Sequence, residues 1–177
     1  MKIAITGKMC SGKSLLAEHL CTKYKFHKFA FADKIKHLAS ELFQMEGKDR
    51  LLLQTLADKM KDINNDVWIN YVITQINNFI NDNYPCNIVI DDLRFPNELE
   101  KLKREGFYII RLNISPEIQF ERLKKKYPDN FKNHIKGLNH NSESHIDKLD
   151  VDYTIESDQN IKGNLDKILL NIINASD

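Results

Sequence analysis

Short apolar runs alternate along the chain with longer amphipathic stretches, a pattern that predicts strands separated by helices. The predicted strands are residues 2–6, 26–31, 87–91, 107–113 and 151–156. The predicted helices are residues 13–24, 34–45, 49–61, 66–81, 96–105, 116–126 and 162–174. This alternation is typical of an α/β fold with a five-stranded parallel sheet and helices on both faces. We expect one domain over residues 1–177.

The limits of the first two helices follow from local signals. The apolar face of the first helix is formed by Leu15, Leu16, Leu20 and Tyr24. Asp33 is the predicted N-cap of the second helix, because a carboxylate accepts hydrogen bonds from the first backbone amides of a helix. Gly47 is predicted to end that helix, because glycine adopts the left-handed conformation common at helix C-termini.

The turn after the first strand carries the most informative motif. Residues 7–14 read Gly-Lys-Met-Cys-Ser-Gly-Lys-Ser, which fits G-x-x-x-x-G-K-[ST] without a mismatch. In this motif the loop amides surround phosphate oxygens, Lys13 reaches the β- and γ-phosphates, and the Ser14 hydroxyl binds Mg²⁺. A three-layer P-loop NTPase fold that binds a nucleoside triphosphate with Mg²⁺ follows. The predicted nucleotide-binding residues are Gly7, Lys8, Cys10, Ser11, Gly12, Lys13, Ser14 and Leu15.

Cys10 lies inside this loop and has two interpretations. It is either a small filler at a variable position or a thiol with a lowered pKa that is sensitive to oxidation.

Composition excludes several classes of function. The chain has 177 residues, 42% of them apolar and 29% charged, as in a soluble globular protein. A net charge of +1 gives no strongly basic field for nucleic acid, and no apolar run has the length of a membrane span. The three cysteines lack metal-type spacing, which favours a reducing, cytoplasmic compartment.

The third predicted strand ends in acid and is followed by an arginine. Asp91 and Asp92 come at the ligand-binding edge of the sheet, where either could hold Mg²⁺ through water. We assign Asp92, with Ser14, to the metal. Arg94 is predicted to grip an acceptor phosphate, because a guanidinium binds phosphate through two donors.

A cationic stretch at residues 116–145 is a candidate lid that excludes water during phosphoryl transfer. Its cations are Arg122, Lys124, Lys125, Lys126, Lys132 and Lys136. Arg122 is the best candidate for contact with phosphate, and with Lys13 and Arg94 it completes the predicted catalytic set. Lys124 to Lys126 are more typical of a solvated helix surface. Trp68 and Phe31 either stack on an acceptor base or belong to the core.

Several further segments carry a resemblance to a known family. They are Phe29–Lys36, Leu53-Gln54, Trp68, Asp92–Glu98 (Asp-Leu-Arg-Phe-Pro-Asn-Glu), His140–Glu143 and Val151–Tyr153. Together with the P-loop, and in this order, they resemble the viral deoxynucleoside monophosphate kinases. The resemblance extends over nearly the whole chain.

The resemblance implies a nucleoside monophosphate kinase fold with ATP as donor, a deoxynucleotide as acceptor, and acceptor-binding helices within residues 33–82. The implied acceptor-binding residues are Phe31, Asp33, Lys36, Gln54, Trp68, Arg94 and Glu98, with His140, Ser142 and Glu143 near the lid. It also suggests a homodimer, and host cytoplasm if the chain is viral. The segment after Gln54 departs from the family pattern, since residues 55–61 contain no glycine or arginine. Lys59 or Lys61 would then substitute.

Three competing functions remain. Another small-molecule kinase, such as a dephospho-coenzyme A or phosphomevalonate kinase, would have the same P-loop. A GTP-binding switch would need an Asn-Lys-x-Asp segment, which the sequence lacks. A P-loop protein without activity is disfavoured by the intact Lys13, Ser14, Asp92 and Arg94.

Overall fold

The computed structural model describes residues 1–128, 131, 135, 145–157 and 160–175. The strands are β1 Lys2–Gly7, β2 Phe26–Phe29, β3 Asn87–Leu93, β4 Tyr108–Asn113 and β5 Tyr153–Glu156. The helices are α1 Lys13–Tyr24, α2 Phe31–Phe43, α3 Arg50–Ile63, α4 Val67–Asn83, α5 Pro96–Arg104, α6 Pro116–Lys126 and α7 Ile161–Asn174, with a 3₁₀ turn at Ile146–Lys148.

The strands form one parallel sheet in the order β2-β3-β1-β4-β5. Helices cover both faces, which confirms the predicted α/β architecture. Alternate side chains of β1 lie on opposite faces of the sheet. Ile3 and Ile5 pack with α1 and α7, whereas Ala4 packs in the cluster with α2, α4 and α5. The strands are therefore buried on both sides, which explains their continuous apolar sequences.

Strand β3 contains one extra residue opposite β1. Ala4 pairs with Ile90, but Thr6 pairs with Leu93, so the register shifts within the segment that holds Asp91 and Asp92. Such a bulge changes the direction of the side chains on the longer strand. The strand consequently continues to Leu93, two residues beyond its predicted end, and Leu93 is fully buried.

Helix α2 begins earlier than predicted, and Asp33 is not its N-cap. The helix starts at Phe31, and the backbone amides of Phe31 and Ala32 donate to the carboxylate of Asp92 at 3.0 and 2.9 Å. A capping group from a distant part of the chain replaces the local one. Gly47 does not end this helix either, because the chain turns at Gln44 with φ of 52°.

The C-terminal helix is attached to α1 through one carboxylate. Asp166 accepts hydrogen bonds from His19 Nε2 (2.8 Å), Lys23 Nζ (2.7 Å) and the Tyr24 hydroxyl (2.8 Å). Leu15, predicted on the buried face of α1, is 45% exposed. Within the described residues, no helix is long and apolar enough to cross a membrane.

Candidate functional site

The turn between β1 and α1 requires glycine where β1 ends. Gly7 has φ of +149°, and a Cβ there would lie 2.7 Å from both the Leu112 carbonyl oxygen and Ser11 Oγ. Gly12 has φ of +103°, a conformation that other residues rarely adopt. The backbone of this loop can therefore approach a bound group closely, as a phosphate cradle must.

The loop carbonyls are held from outside the loop. Gln119 Nε2 donates to the Met9 carbonyl at 2.9 Å, and Arg122 Nη1 donates to the Cys10 carbonyl at 3.2 Å. Ser157 Oγ donates to the Ser11 carbonyl. Because the C=O and N–H of a trans peptide point in opposite directions, these bonds turn the following amides away from α6. They leave the loop preorganised for an anion.

Lys13 is bent back over the loop. Its ammonium group donates to the carbonyls of Gly7 and, at 2.9 Å, Lys8. Ser14 follows in the first turn of α1 and is exposed. Ser11 Oγ is buried with no hydrogen-bond partner among the described residues. This loop therefore fits a nucleoside triphosphate with Mg²⁺. It offers the Lys13 ammonium group, the exposed Ser14 hydroxyl and a cradle that a Cβ at Gly7 would fill.

Lys8 and Cys10, both within the loop, have different surroundings. Lys8 Nζ forms an ion pair with Asp147 in the 3₁₀ turn at 2.7 Å. Burial raises the pKa of the Cys10 thiol, although Lys126, Lys13 and Arg122 favour its thiolate. The interpretation of Cys10 as a thiol of lowered pKa is therefore wrong.

The two aspartates of the bulge have different partners. Asp91 is buried and accepts from Lys28 Nζ at 2.6 Å, whereas Asp92 caps α2. Burial raises the pKa of Asp92, and its hydrogen bonds from Ala32 and Phe31 oppose that change. The described residues hold no group of three His, Cys, Asp or Glu side chains suited to a metal. If Mg²⁺ binds here, Ser14 and Asp92 are the residues predicted to hold it, together with water.

Glu98 fixes the loop that carries Arg94. Its Oε2 accepts from the backbone amides of Arg94 and Phe95 at 2.9 and 3.0 Å, so its carboxylate supports the loop between β3 and α5. Burial raises the pKa of Glu98 to about 7, although both amides and the charge of Lys61 favour the carboxylate. In this structure Glu98 is thus a positioning group for Arg94.

A cavity of about 250 Å³ lies beside the phosphate loop, between α3 and the ends of β3 and α2. Its apolar wall is formed by Met9, Phe31, Ala32, Ile35, Leu53, Ala57, Trp68 and Phe95. Its polar lining is formed by Lys48, Arg50, Gln54, Asp58, Lys61, Asp92, Arg94 and Glu98. Trp68 is 4% exposed and donates from Nε1 to the Ala57 carbonyl at 3.2 Å, which joins α4 to α3 beneath the cavity.

Most residues of the predicted acceptor pocket meet in this cavity. Phe31, Gln54, Trp68, Arg94 and Glu98 all line it. Two predicted residues of α2, Asp33 and Lys36, do not line the cavity. Lys36 Nζ and Asp33 Oδ1 instead form an exposed ion pair at 2.8 Å. His140, Ser142 and Glu143, together with Lys132 and Lys136, lie outside the described residues.

Sequence reasoning missed two cations of the cavity, Lys48 and Arg50. Lys48 and Arg50 precede and begin α3, and their only sequence signal is their position before the Leu53-Gln54 pair. Lys61 lines the cavity and lies over the Phe95 ring, 3.4 Å from its centroid. Lys59, in contrast, is 76% exposed and pairs with Asp62. Of the two lysines that could replace the arginine of the family pattern, Lys61 is therefore the one that lines the cavity.

Comparison with known proteins places this geometry in a family. Residues 3–146 match the AAA domain family (AAA_18), whereas no curated protein sequence matches the chain significantly. Shikimate kinase from Acinetobacter baumannii in complex with shikimate is 18% identical with a TM-score of 0.55, covering 99% of this chain and 93% of that one.

Two further solved structures have a similar fold. TT1252 from Thermus thermophilus is 15% identical with a TM-score of 0.62, covering 99% of this chain and 97% of that one. A sugar kinase from a Janibacter species is 14% identical with a TM-score of 0.53, and the match covers 96% of this chain and 92% of that one. Since the family match includes the phosphate loop and most of the sheet, this chain belongs to the AAA domain family, and its fold is that of the P-loop kinases.

Proposed function

We propose that this chain transfers the γ-phosphoryl group of ATP to a nucleoside monophosphate, with deoxynucleotides as the preferred acceptors. The observation that carries the proposal is the cavity beside the phosphate loop. It combines cations, including Arg94, with the aromatic walls Phe31, Trp68 and Phe95. A nucleoside monophosphate has the matching parts, a dianionic phosphate and a flat apolar base.

In the proposed reaction, an oxygen of the acceptor phosphate forms a bond to the γ-phosphorus of ATP. The bond from that phosphorus to the β-phosphate oxygen breaks, so that ADP leaves and the acceptor becomes a diphosphate. The acceptor phosphate is largely dianionic near neutral pH, so this chemistry needs no protein base. Catalysis then consists of positioning the reactants and neutralising charge on the transferred group.

The residues of this chain divide that work. The Lys13 ammonium group gives up its hydrogen bonds to the loop carbonyls, donates to phosphate oxygens instead and neutralises the transferred group. Arg94 holds the acceptor phosphate. Arg122 fixes the loop through Cys10 and Ser157, and it reaches phosphate once one of those bonds is exchanged. Mg²⁺, when bound through Ser14 and Asp92, supplies further charge neutralisation. The proposed lid spans residues 116–145 and excludes water.

The direct test is a panel of acceptors with labelled ATP. Diphosphate formation is measured with the common deoxyribonucleoside and ribonucleoside monophosphates, and with dephospho-coenzyme A and phosphomevalonate. We expect turnover with one or more deoxynucleoside monophosphates and none with the other two acceptors. Turnover restricted to dephospho-coenzyme A or phosphomevalonate would replace this proposal with the competing one. Cytoplasmic location and homodimer assembly stay predictions.

A further inference from the structure

Two cations near the start of α3 are accounted for by neither the P-loop motif nor the Asp92–Glu98 segment. Lys48 and Arg50 both line the cavity, and Arg50 Nη2 lies 3.7 Å from Met9 Sδ in the phosphate loop. That contact shows at which end of the cavity Arg50 lies. It is the end nearest the phosphate loop, where the transferred group must pass.

The opposite end of the cavity is defined by the same helix. Lys61 is eleven residues after Arg50, which corresponds to roughly 16 Å along a helix that rises 1.5 Å per residue. Lys61 contacts the Phe95 ring there. The cavity is therefore long enough for an elongated acceptor, with its anionic group near Arg50 and its apolar body toward Trp68 and Phe95.

Lys48 lies among several other cations at this end of the cavity. Among the described residues, no carboxylate lies within ion-pair distance of Lys48. Asp49, between the two cations in sequence, accepts from the Leu52 amide at 3.0 Å as the N-cap of α3. Burial lowers the pKa of Lys48, and the positive charges of Arg50, Lys36, Lys126 and Arg94 lower it further. Lys36 is paired with Asp33, and three carboxylates also line the cavity. At the end of the cavity nearest the phosphate loop, Lys48 and Arg50 add positive charge, which favours binding of a ligand anion.

We propose that Lys48 and Arg50 bind the anionic group of the acceptor together with Arg94, and thereby restrict the acceptor to molecules that already carry a phosphate. This inference rests on the proposed function for the identity of the acceptor. It adds two residues that determine specificity, and it separates this chain from kinases whose acceptors are uncharged alcohols.

The test measures equilibrium binding by calorimetry, with a non-hydrolysable ATP analogue and Mg²⁺ saturating the phosphate loop. The titrants are the monophosphates of deoxyadenosine, deoxycytidine, deoxyguanosine and thymidine, and the nucleoside of the tightest-binding one. The variants are Lys48→Ala, Arg50→Ala and the control Lys59→Ala, which removes an exposed lysine of the same helix.

We expect Lys48→Ala and Arg50→Ala each to weaken monophosphate binding by about tenfold or more, the scale of one charge-assisted hydrogen bond. Their affinity for the nucleoside and for the ATP analogue should stay within about twofold of the parent, as should every affinity of Lys59→Ala. Unchanged monophosphate binding in both variants, or an equal loss for monophosphate and nucleoside, would overturn the proposal.

The same experiment separates this inference from the proposed function. If the parent protein binds none of the monophosphates, the proposed function fails, and the anion site is then tested with inorganic phosphate under the same conditions. Phosphate binding that is lost in Lys48→Ala and kept in Lys59→Ala would support the site. Phosphate binding that is absent, or equal in all variants, would contradict it.

Discussion

The carboxylate of Asp92 accepts a hydrogen bond from the backbone amide of Phe31 at 3.0 Å, which joins the end of β3 to the start of α2 across 61 residues of sequence. The same carboxylate accepts from Ala32 at 2.9 Å. One side chain therefore sets both the start of α2 and the place of the Phe31 ring in the cavity wall.

Asp92→Ala should lower the free energy of unfolding by about 2 kcal/mol, because it leaves two helix amides without their acceptor. Asp92→Asn should lower it less, since the amide oxygen still accepts one bond. Denaturant titrations of both variants measure this difference, with Asp33→Ala as the control for an exposed acid of the same helix. Equal stability of Asp92→Ala and the parent would show that the cap contributes nothing.

Lys13→Ala should fold normally and lose at least two orders of magnitude in turnover, roughly the scale of one key charge-stabilising donor. The ammonium group donates to the loop carbonyls of Gly7 and Lys8, and Lys13 belongs to neither buried hydrophobic cluster, so we expect its removal to leave the core intact. Turnover and the thermal midpoint are measured together. Near-normal turnover in a folded variant would contradict the role given to Lys13.

Arg94→Lys should raise the KM for the acceptor by about tenfold and leave the KM for ATP within about twofold. A lysine keeps the charge but loses the two parallel donors that a guanidinium presents to phosphate. Steady-state kinetics with each substrate varied in turn provide the measurement. A rise of the same size in both KM values would place Arg94 elsewhere in the reaction.

Glu98 should make stability depend on pH in the range from about 4.5 to about 7. Burial raises its pKa from 4.5 to about 7 in the folded protein, so there the folded state holds a proton that the unfolded state has lost. The contribution of Glu98 to stability is therefore highest below pH 4.5 and decreases as the pH rises to 7, by about 3 kcal/mol in total.

Glu98→Gln removes this titration and tests it. The variant should gain stability relative to the parent as the pH is raised from 5 to 8, and it should retain an oxygen that accepts from the Arg94 amide. Denaturant titrations at the two pH values give the comparison. A stability difference between variant and parent that does not change with pH would rule out a raised pKa for Glu98.

Asp166 should stabilise the attachment of α7 to α1 at neutral pH. Burial alone would raise its pKa, but hydrogen bonds from Lys23, His19 and Tyr24 outweigh that effect and lower the pKa to about 2. Its contribution is therefore present above pH 3.8 and is lost as the pH falls through 2. Since the carboxylate is partly exposed, we expect Asp166→Asn to cost about 1 kcal/mol at pH 7, whereas Asp82→Asn, on the surface of α4, should cost nothing measurable.

The fold could be predicted from sequence because its signals are local. Apolar runs marked every strand, and Pro116 marked the first residue of α6. Two of the errors have a common cause: the start of α2 depends on Asp92, and the end of β3 depends on a bulge opposite β1. Contacts between distant segments leave no periodic trace in either partner.

The candidate site divides in the same way. The phosphate loop has a sequence signature because its backbone conformation requires glycine at fixed positions. Lys48 and Arg50 have no such signature, since a cation on a turn looks the same in sequence whether it lines a cavity or faces solvent. The opposite error occurred for Asp33 and Lys36, which satisfy one another on the surface of α2.

The extra residue in β3 affects how far Arg94 lies from the paired part of the strand. Removing either aspartate would restore an even ladder against β1, yet it would draw Arg94 back by one strand position, roughly 3.3 Å. That distance is comparable to the length of a hydrogen bond, so we expect the guanidinium to lose the contact with the acceptor phosphate that we propose for it. The inserted residue therefore sets how far the backbone of Arg94 lies beyond the paired part of β3.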